Sequence, residues 1–225
     1  MDPIIQTPRL KLTLLTTAPR SSQEFAWIHT LRSNTQSTWW SLYGSSKTPE
    51  DTEKALQNIL PAPHIEGEEK VHRFAYAVHE LAEEGSEQGN IKEDQFIGLI
   101  TLRTLSPSET QFPPRDKHGS SSTSLSLELA YMFLPQSWGW GYATEAIAAV
   151  LDNCASVPAA YWTPYETLAV RAIVNDENAA SQRVMEKCEM GEPEVVEFEG
   201  ARFFIAGRWT AKHRLCVYGR KIVVG

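Results

Sequence analysis

Leu10, Leu12 and Leu14 alternate with polar neighbours, the two-residue period of a half-buried strand. Helices are predicted next over 24–32 and 49–59, the second with Thr48 as its cap and Pro49 at its first position. Strands follow over 74–79 and 96–103. The segment 125–133 alternates most clearly: Leu125, Leu127, Leu129, Tyr131 and Phe133 fall on one face, Ser126, Glu128, Ala130 and Met132 on the other. From Tyr142 the period lengthens, with apolar residues at 143, 146, 147, 150, 151 and 154, the stripe of an amphipathic helix. A strand over 168–174, a helix over 178–188 and closing strands over 194–198 and 214–222 complete the pattern. Strands and helices in this order predict an α/β fold, a mixed sheet with helices on its faces.

Two polar stretches interrupt the pattern, EEGSEQGNIKED at 83–94 and SPSETQFPPRDKHGSSSTS at 106–124. Strand-like segments stand immediately on either side, so both read as flexible insertions in one domain spanning 1–225 rather than as linkers. Composition is otherwise that of an ordinary globular chain, with 42% hydrophobic residues, 13 Gly and 13 Pro. The net charge of −7 argues against non-specific nucleic-acid binding and mildly favours a cationic acceptor such as an amine. No apolar run approaches the ~18 residues of a membrane span, and the N-terminus lacks a charged-then-apolar signal pattern, so the expected location is cytoplasmic. Cys154, Cys188 and Cys216 form an odd set without CxxC spacing and read as reduced structural thiols. The six histidines are scattered without metal spacing, and no metal site is expected.

The informative junction is Pro135-Gln136-Ser137-Trp138-Gly139-Trp140-Gly141-Tyr142-Ala143-Thr144-Glu145. A buried strand ends, two glycines make a tight turn, and a helix begins. Glycines expose consecutive N–H groups, and a helix N-terminus carries unpaired amides and partial positive charge. Together they make a nest for a phosphate or pyrophosphate, although a plain strand-to-helix turn uses glycine in the same way. Thr144 stands where the third glycine of a dinucleotide fingerprint belongs, and no GxxxxGK[ST] loop occurs. Nicotinamide and nucleoside-triphosphate enzymes are therefore disfavoured.

The run Gln136-x-x-Gly139-x-Gly141-Tyr142-Ala143-Thr144-Glu145-Ala146 resembles the pyrophosphate loop of the GNAT N-acetyltransferases. Its wording is closest to the branch containing the ribosomal-protein N-terminal acetyltransferases. Thr7-Pro8-Arg9-Leu10-x-Leu12 is similar to that branch's first strand, and Asn175 to Lys187 to its last helix. The resemblance implies a mostly antiparallel mixed sheet splayed open between the strands at 125–133 and 168–174. It implies acetyl-CoA as co-substrate, with the pantetheine arm pairing near Met132, Phe133 and Leu134. The pyrophosphate would lie on the loop of Gln136, Trp138, Gly139, Trp140, Gly141, Tyr142, Ala143 and Thr144, while Asn175, Asn178 and Ser181 approach from the other side. Trp140 replaces a usual Lys or Arg, with Lys187 and Arg183 as possible substitutes or as solvated helix residues. Met185 stands where many members place a tyrosine that protonates the leaving thiolate, so Ser181 inherits that candidacy.

Acetyl transfer to an amine needs a neutral nucleophile held against the thioester, and lysine-like amines titrate near ~10.4. Glu128, a carboxylate inside a sheet, is the candidate base; an ion pair with Arg171 on the neighbouring strand is the alternative. A histidine base is conceivable at His79. Trp39, Trp40 and Tyr43, with Phe204 facing them, are candidates for the acceptor mouth, and core packing explains the same aromatics. The expected partner is an amine acceptor, a small molecule or a protein N-terminus, with the enzyme a monomer or homodimer. The rival expectation is a non-catalytic acyl-CoA-binding or scaffold protein that retains the fold.

Overall fold

Eight strands and four α-helices make up the residues described by the computed structural model, which are 1–61, 70–82, 94–105 and 123–224. The two polar insertions fall almost wholly outside the described residues, as do His64 and His118. In chain order the elements are β1 (Ile4–Gln6), β2 (Leu10–Leu14), α1 (Gln23–Ser33), α2 (Pro49–Ile59), β3 (Arg73–Glu80) and β4 (Gln95–Thr104). Then come β5 (Ser124–Phe133), α3 (Tyr142–Ser156), β6 (Thr167–Asn175), α4 (Ala179–Lys187), β7 (Glu194–Ile205) and β8 (Arg208–Val223). The cap of α2 forms as its sequence demands. The Thr48 hydroxyl accepts from the Asp51 amide at 3.3 Å, and the Asp51 carboxylate accepts from the Thr48 amide at 3.0 Å.

The strands form one mixed, mostly antiparallel sheet in the order β1-β2-β3-β4-β5-β6-β8-β7. On one face α3 and α4 bury Ala146, Ile147, Val150, Leu151 and Met185 against Leu102, Leu127, Leu129, Val170 and Tyr218. On the other face α1 and α2 set Phe25, Ile28, Leu31 and Leu56 over β3 and β4, where Ala75 and Ala77 let the helices approach closely. Only β5 and β6 run parallel, and their pairing ends early, at Glu128 opposite Arg171. The outer edges stay paired much further, β5 with β4 to Phe133 and β6 with β8 to Asn175. The sheet therefore forks between β5 and β6, as the resemblance implies.

Two elements differ from the sequence pattern. Strand β1 has three residues, too short for a period to register. The closing strands are a long hairpin of 12 and 16 residues joined at Ala206-Gly207, both at positive φ as a two-residue turn requires. A register shift between Glu199 and Phe203 switches which residues face the same side, so the alternation that marks 194–198 breaks off and hides the rest of β7.

Gly98 on β4 sits under the ring of Phe133. A Cβ there would lie 2.6 Å from that ring and 2.7 Å from the Met132 carbonyl oxygen. Gly98→Ala is expected to destabilise the protein by about 1–3 kcal/mol, the usual range for overpacking. Gly219→Ala on β8, with nothing within 4 Å, should lie near wild type in the same urea titration.

His72 is buried among Phe74, Trp162 and Tyr165, and burial pushes its imidazole down to about 4 from 6.5. Below pH 6.5 the unfolded chain binds this proton and the folded chain does not. Its contribution to stability is thus complete above about 6.5 and declines as pH falls towards about 4. His72→Phe should flatten that part of the stability–pH curve, read as denaturation midpoints across the interval.

Candidate functional site

After β5 a short 3-10 turn, Pro135–Ser137, leads to Gly139 and Gly141, both at φ +82°. No heavy atom lies within 4 Å of a Cβ placed on Gly139, so the backbone conformation, not space, requires glycine there. Gly141 is the N-cap of the 15-residue α3 and has no side chain to cap the amides of the first turn. The neighbouring Trp138, Gly139 and Trp140 are exposed, and a helix start without a side-chain cap is the kind of place suited to an anion. The Tyr142 side chain turns away and donates to Glu80, so Tyr142 contributes backbone alone to this nest.

Arg183 and Lys187 are both exposed on α4. Arg9, named from the sequence only within the Thr7–Leu12 resemblance, is a cation at the turn. Its Nη1 donates to the Trp140 carbonyl at 3.0 Å, and its Nη2 lies 2.5 Å from Glu145 on the first turn of α3. The Thr7 hydroxyl donates to the same carboxylate at 2.6 Å. Burial alone would raise the Glu145 carboxyl, but the Thr7 and Arg9 hydrogen bonds outweigh it and hold the group below its ordinary range. Arg9 thereby neutralises a carboxylate that would otherwise repel an anion at the turn.

Beyond Glu128 one edge of β5 has lost its strand partner, and the direction of each amide decides which residues serve the fork. The Leu134 amide donates to the Ile97 carbonyl at 2.8 Å, so Leu134 faces β4. By the alternation of antiparallel pairing Met132 faces β4 too, while Leu129, Tyr131 and Phe133 face the fork. The Phe133 carbonyl already accepts from Trp138 Nε1 at 2.9 Å. The backbone directed to the fork thus comes from Tyr131 and the Phe133 amide, while the backbone groups of Met132 and Leu134, also expected near the pantetheine arm, are turned to β4.

Across the fork, Asn178 caps α4: its Oδ1 accepts from the Ser181 amide at 3.1 Å and its Nδ2 donates to Ser181 Oγ at 3.0 Å. The Asn175 carboxamide accepts from the Glu177 amide at 3.0 Å. Both asparagines therefore shape the turn into α4. Ser181 keeps its hydroxyl proton to donate and stands against the buried Tyr131 hydroxyl, which completes no hydrogen bond. Burial is the main cause that pushes this phenol up to about 12, so it stays neutral at working pH. Met185 lies wholly in the core. The three thiols are buried and unbridged, with Cys154 pushed up to about 12 and Cys188 to about 11 by burial, which makes them poor nucleophiles.

Glu128 sits at the apex of the fork in register with Arg103 on β4 and Arg171 on β6. Its two oxygens lie 3.3 Å and 3.7 Å from these guanidinium groups. This geometry favours the ion-pair reading over the base reading. Among the described residues no group of three His, Cys, Asp or Glu converges to hold a metal, and no helix is long and apolar enough to cross a membrane.

A cavity of about 470 Å³ adjoins the end of β6, between Asn175, Trp40 and the β7–β8 hairpin. The loop after α1 is bound to the hairpin turn, the Ala206 amide donating to the Trp39 carbonyl at 2.9 Å. Trp39 packs on Gly207 and Phe204 packs edge-on to Trp209. Of the four aromatics expected at an acceptor mouth, Trp40 lines this cavity, Trp39 and Phe204 pack at the hairpin outside it, and Tyr43 is 87% exposed. His213 lines the cavity and was missed by sequence reasoning, because its burial arises from pairing of β8 with β7 across the turn.

Residues 12–191 match the family model for the acetyltransferase (GNAT) domain. Comparison with curated proteins returns no match. Among solved structures, a GNAT-family acetyltransferase from Bacillus anthracis aligns over 98% of both chains at 17% identity, with a TM-score of 0.54. Spermidine N-acetyltransferase from Vibrio cholerae, in complex with CoA and spermine, aligns over 94% of this chain and 95% of its own at 18% identity, TM-score 0.53. The Salmonella typhimurium acetyl transferase that modifies the N-terminal serine of ribosomal protein L7/L12 aligns over 99% of both at 14% identity, TM-score 0.56. The forked sheet, the glycine turn at the start of α3 and a family match over most of the chain agree: this protein belongs to the GNAT acetyltransferase family.

Proposed function

We propose that the chain is a single-domain, acetyl-CoA-dependent N-acetyltransferase that transfers acetyl directly to a primary amine in a ternary complex. The observation that carries this reading is the open edge of β5 beside an uncapped, glycine-opened helix start. The amides from Gly139 to Thr144 would hold the pyrophosphate, with Gln136 and Trp138 on the adjoining turn, where the Trp138 amide is engaged by the Pro135 carbonyl, and Arg9 keeps Glu145 from opposing it. The Tyr131 backbone and the Phe133 amide would pair with the pantetheine arm. Ser181, whose hydroxyl Asn178 orients, would protonate the departing thiolate. Rate gain then comes mainly from holding two substrates together and from polarising the thioester. Neighbours that acetylate spermidine or a ribosomal protein N-terminus are compatible with either a small-molecule or a protein amine as acceptor. Buried, unbridged thiols support a cytoplasmic location.

The burial of Met185 where many family members carry an acid tyrosine favours one other reading, a binding protein without turnover. Release of free thiol from acetyl-CoA with a panel of amines separates the two, since a binding protein would release none.

Gly141→Val places a β-branched residue at φ +82° and crowds the helix start. Calorimetry should show acetyl-CoA affinity reduced at least tenfold while circular dichroism stays native. Unchanged affinity in a folded variant would remove the glycine turn from the site. Arg9→Ala should also weaken acetyl-CoA binding, through KM rather than kcat, because Glu145 is then left charged beside the pyrophosphate. Glu128→Gln should lower stability by about 1–3 kcal/mol, since two arginines lose their counter-charge, with kcat within tenfold of wild type. A loss of 10²–10⁴ in kcat would instead return Glu128 to the role of base.

A further inference from the structure

Tyr131 carries a hydroxyl that the fold encloses without completing a hydrogen bond to it, and Ser181 is the residue that stands against it. The phenol belongs to β5 just beyond the apex of the fork and packs on the core under α3 and α4. Its ring meets Phe133 edge-on at 6.3 Å. An enclosed hydroxyl without a partner is rare in folded proteins and asks for a reason. Ser181, in the first turn of α4, is tied to Asn178 by two hydrogen bonds. The Ser181 amide donates to Asn178 Oδ1 at 3.1 Å, which fixes the carboxamide so that Nδ2 donates to Ser181 Oγ at 3.0 Å. Asn178 therefore gives a proton to that oxygen and takes none from it. A serine oxygen has two lone pairs and one proton. Asn178 fills one lone pair, and the Tyr131 hydroxyl stands where it can fill the other.

We infer that Tyr131 is a positioning residue for Ser181: its phenol donates to Ser181 Oγ, so that the serine proton is left to point at the sulfur of the acyl donor. The inference rests on the acetyltransferase reading above. The direction of the bond follows from the chemistry of the two groups. A phenol is a better donor and a poorer acceptor than an alcohol. The Tyr131 hydroxyl is enclosed, whereas Ser181 is only half-buried. Burial also keeps the phenol protonated, pushed up to about 12, so it is a donor at working pH. In the reaction the C–S bond breaks with its electron pair leaving on sulfur, and the Ser181 proton moves to that sulfur. The serine oxygen keeps the electron pair of the broken O–H bond, and the Asn178 and Tyr131 donors stabilise the charge that develops on it. That oxygen regains a proton from the attacking nitrogen, which sheds one as it becomes an amide. The products are the amide and the free thiol. Tyr131 keeps its own proton throughout and acts only through Ser181.

The test uses the full chain with acetyl-CoA and an amine that the unmutated protein turns over in the thiol-release panel. Tyr131→Phe removes the hydroxyl and keeps the ring. Its single-turnover rate of thiol release should fall about 10–100-fold, the weight of a hydrogen bond to a developing charge. Acetyl-CoA affinity and the urea midpoint should stay near those of the unmutated protein. The deficit should be constant across the neutral pH range, because the phenol does not titrate there. In a Ser181→Ala background the same substitution should change the rate by no more than about twofold, since Tyr131 then has nothing to position. An unchanged or faster rate in Tyr131→Phe means that the serine gives its proton to the phenol, and overturns the inference. An equal loss with and without Ser181 overturns it too. With tyrosine labelled with ¹³C at Cζ and CoA bound, the assigned Tyr131 resonance should move on Ser181→Ala. A stationary resonance overturns the inference even if Tyr131→Phe fails to fold. If the unmutated protein releases no thiol with any amine, the acetyltransferase reading falls and the protonation role with it, while a moved resonance would still establish the bond.

Discussion

Backbone amides and carbonyls in the middle of a sheet must find partners, and between β5 and β6 they stop doing so after Glu128 and Arg171. A fork at that point survives only because its apex and both outer edges are fixed. The apex is pinned by a row of three charges in register, in which Glu128 stands between Arg103 and Arg171 and pairs with both across three strands. Arg171 is 5% exposed, so its own charge is largely desolvated and depends on the Glu128 carboxylate to be tolerated. The edges are fixed by β4 and β8, which follow the diverging strands to their ends. Beyond the apex the β5 edge that faces β6 is left without a strand partner.

The anion nest depends on the same economy of charge. A glutamate in the first turn stabilises α3 through the helix dipole, yet the same charge would oppose a pyrophosphate. Arg9 and Thr7, brought from the start of β2, bond the Glu145 carboxylate and draw it to their side, and Arg9 also bonds the Trp140 carbonyl. One guanidinium therefore joins the first part of the sheet to the turn and neutralises its only first-turn acid. The missing cation at position 140 is in this sense supplied from 131 residues away.

The cavity beside the closing hairpin is built by a different device. The hairpin of β7 and β8 carries a register shift that bends it, and its turn is tied to the loop after α1. That closure forms the cavity wall and buries His213 between two phenylalanine rings. The cavity wall is thus formed by parts of the chain whose sequence has no simple period, while the fork and the glycine turn lie in or between regular elements.

This division also governs what was legible in the sequence. Alternation over 125–133 and the 3.6-residue stripe from 143 are local consequences of burying one face, so β5 and α3 stand where the pattern puts them. The glycine turn was legible because positive φ restricts residue type locally. Periodicity could not show which edge of β5 each amide faces, because that depends on pairing with β4, and it therefore did not separate Met132 and Leu134 from Tyr131 and Phe133. Nor could it decide between a base and an ion pair for Glu128, find Arg9 beside Glu145, or predict a buried imidazole at His213. Each of these is a contact between distant segments whose energy depends on burial and on the partner's charge, and those exist only once the strands have paired.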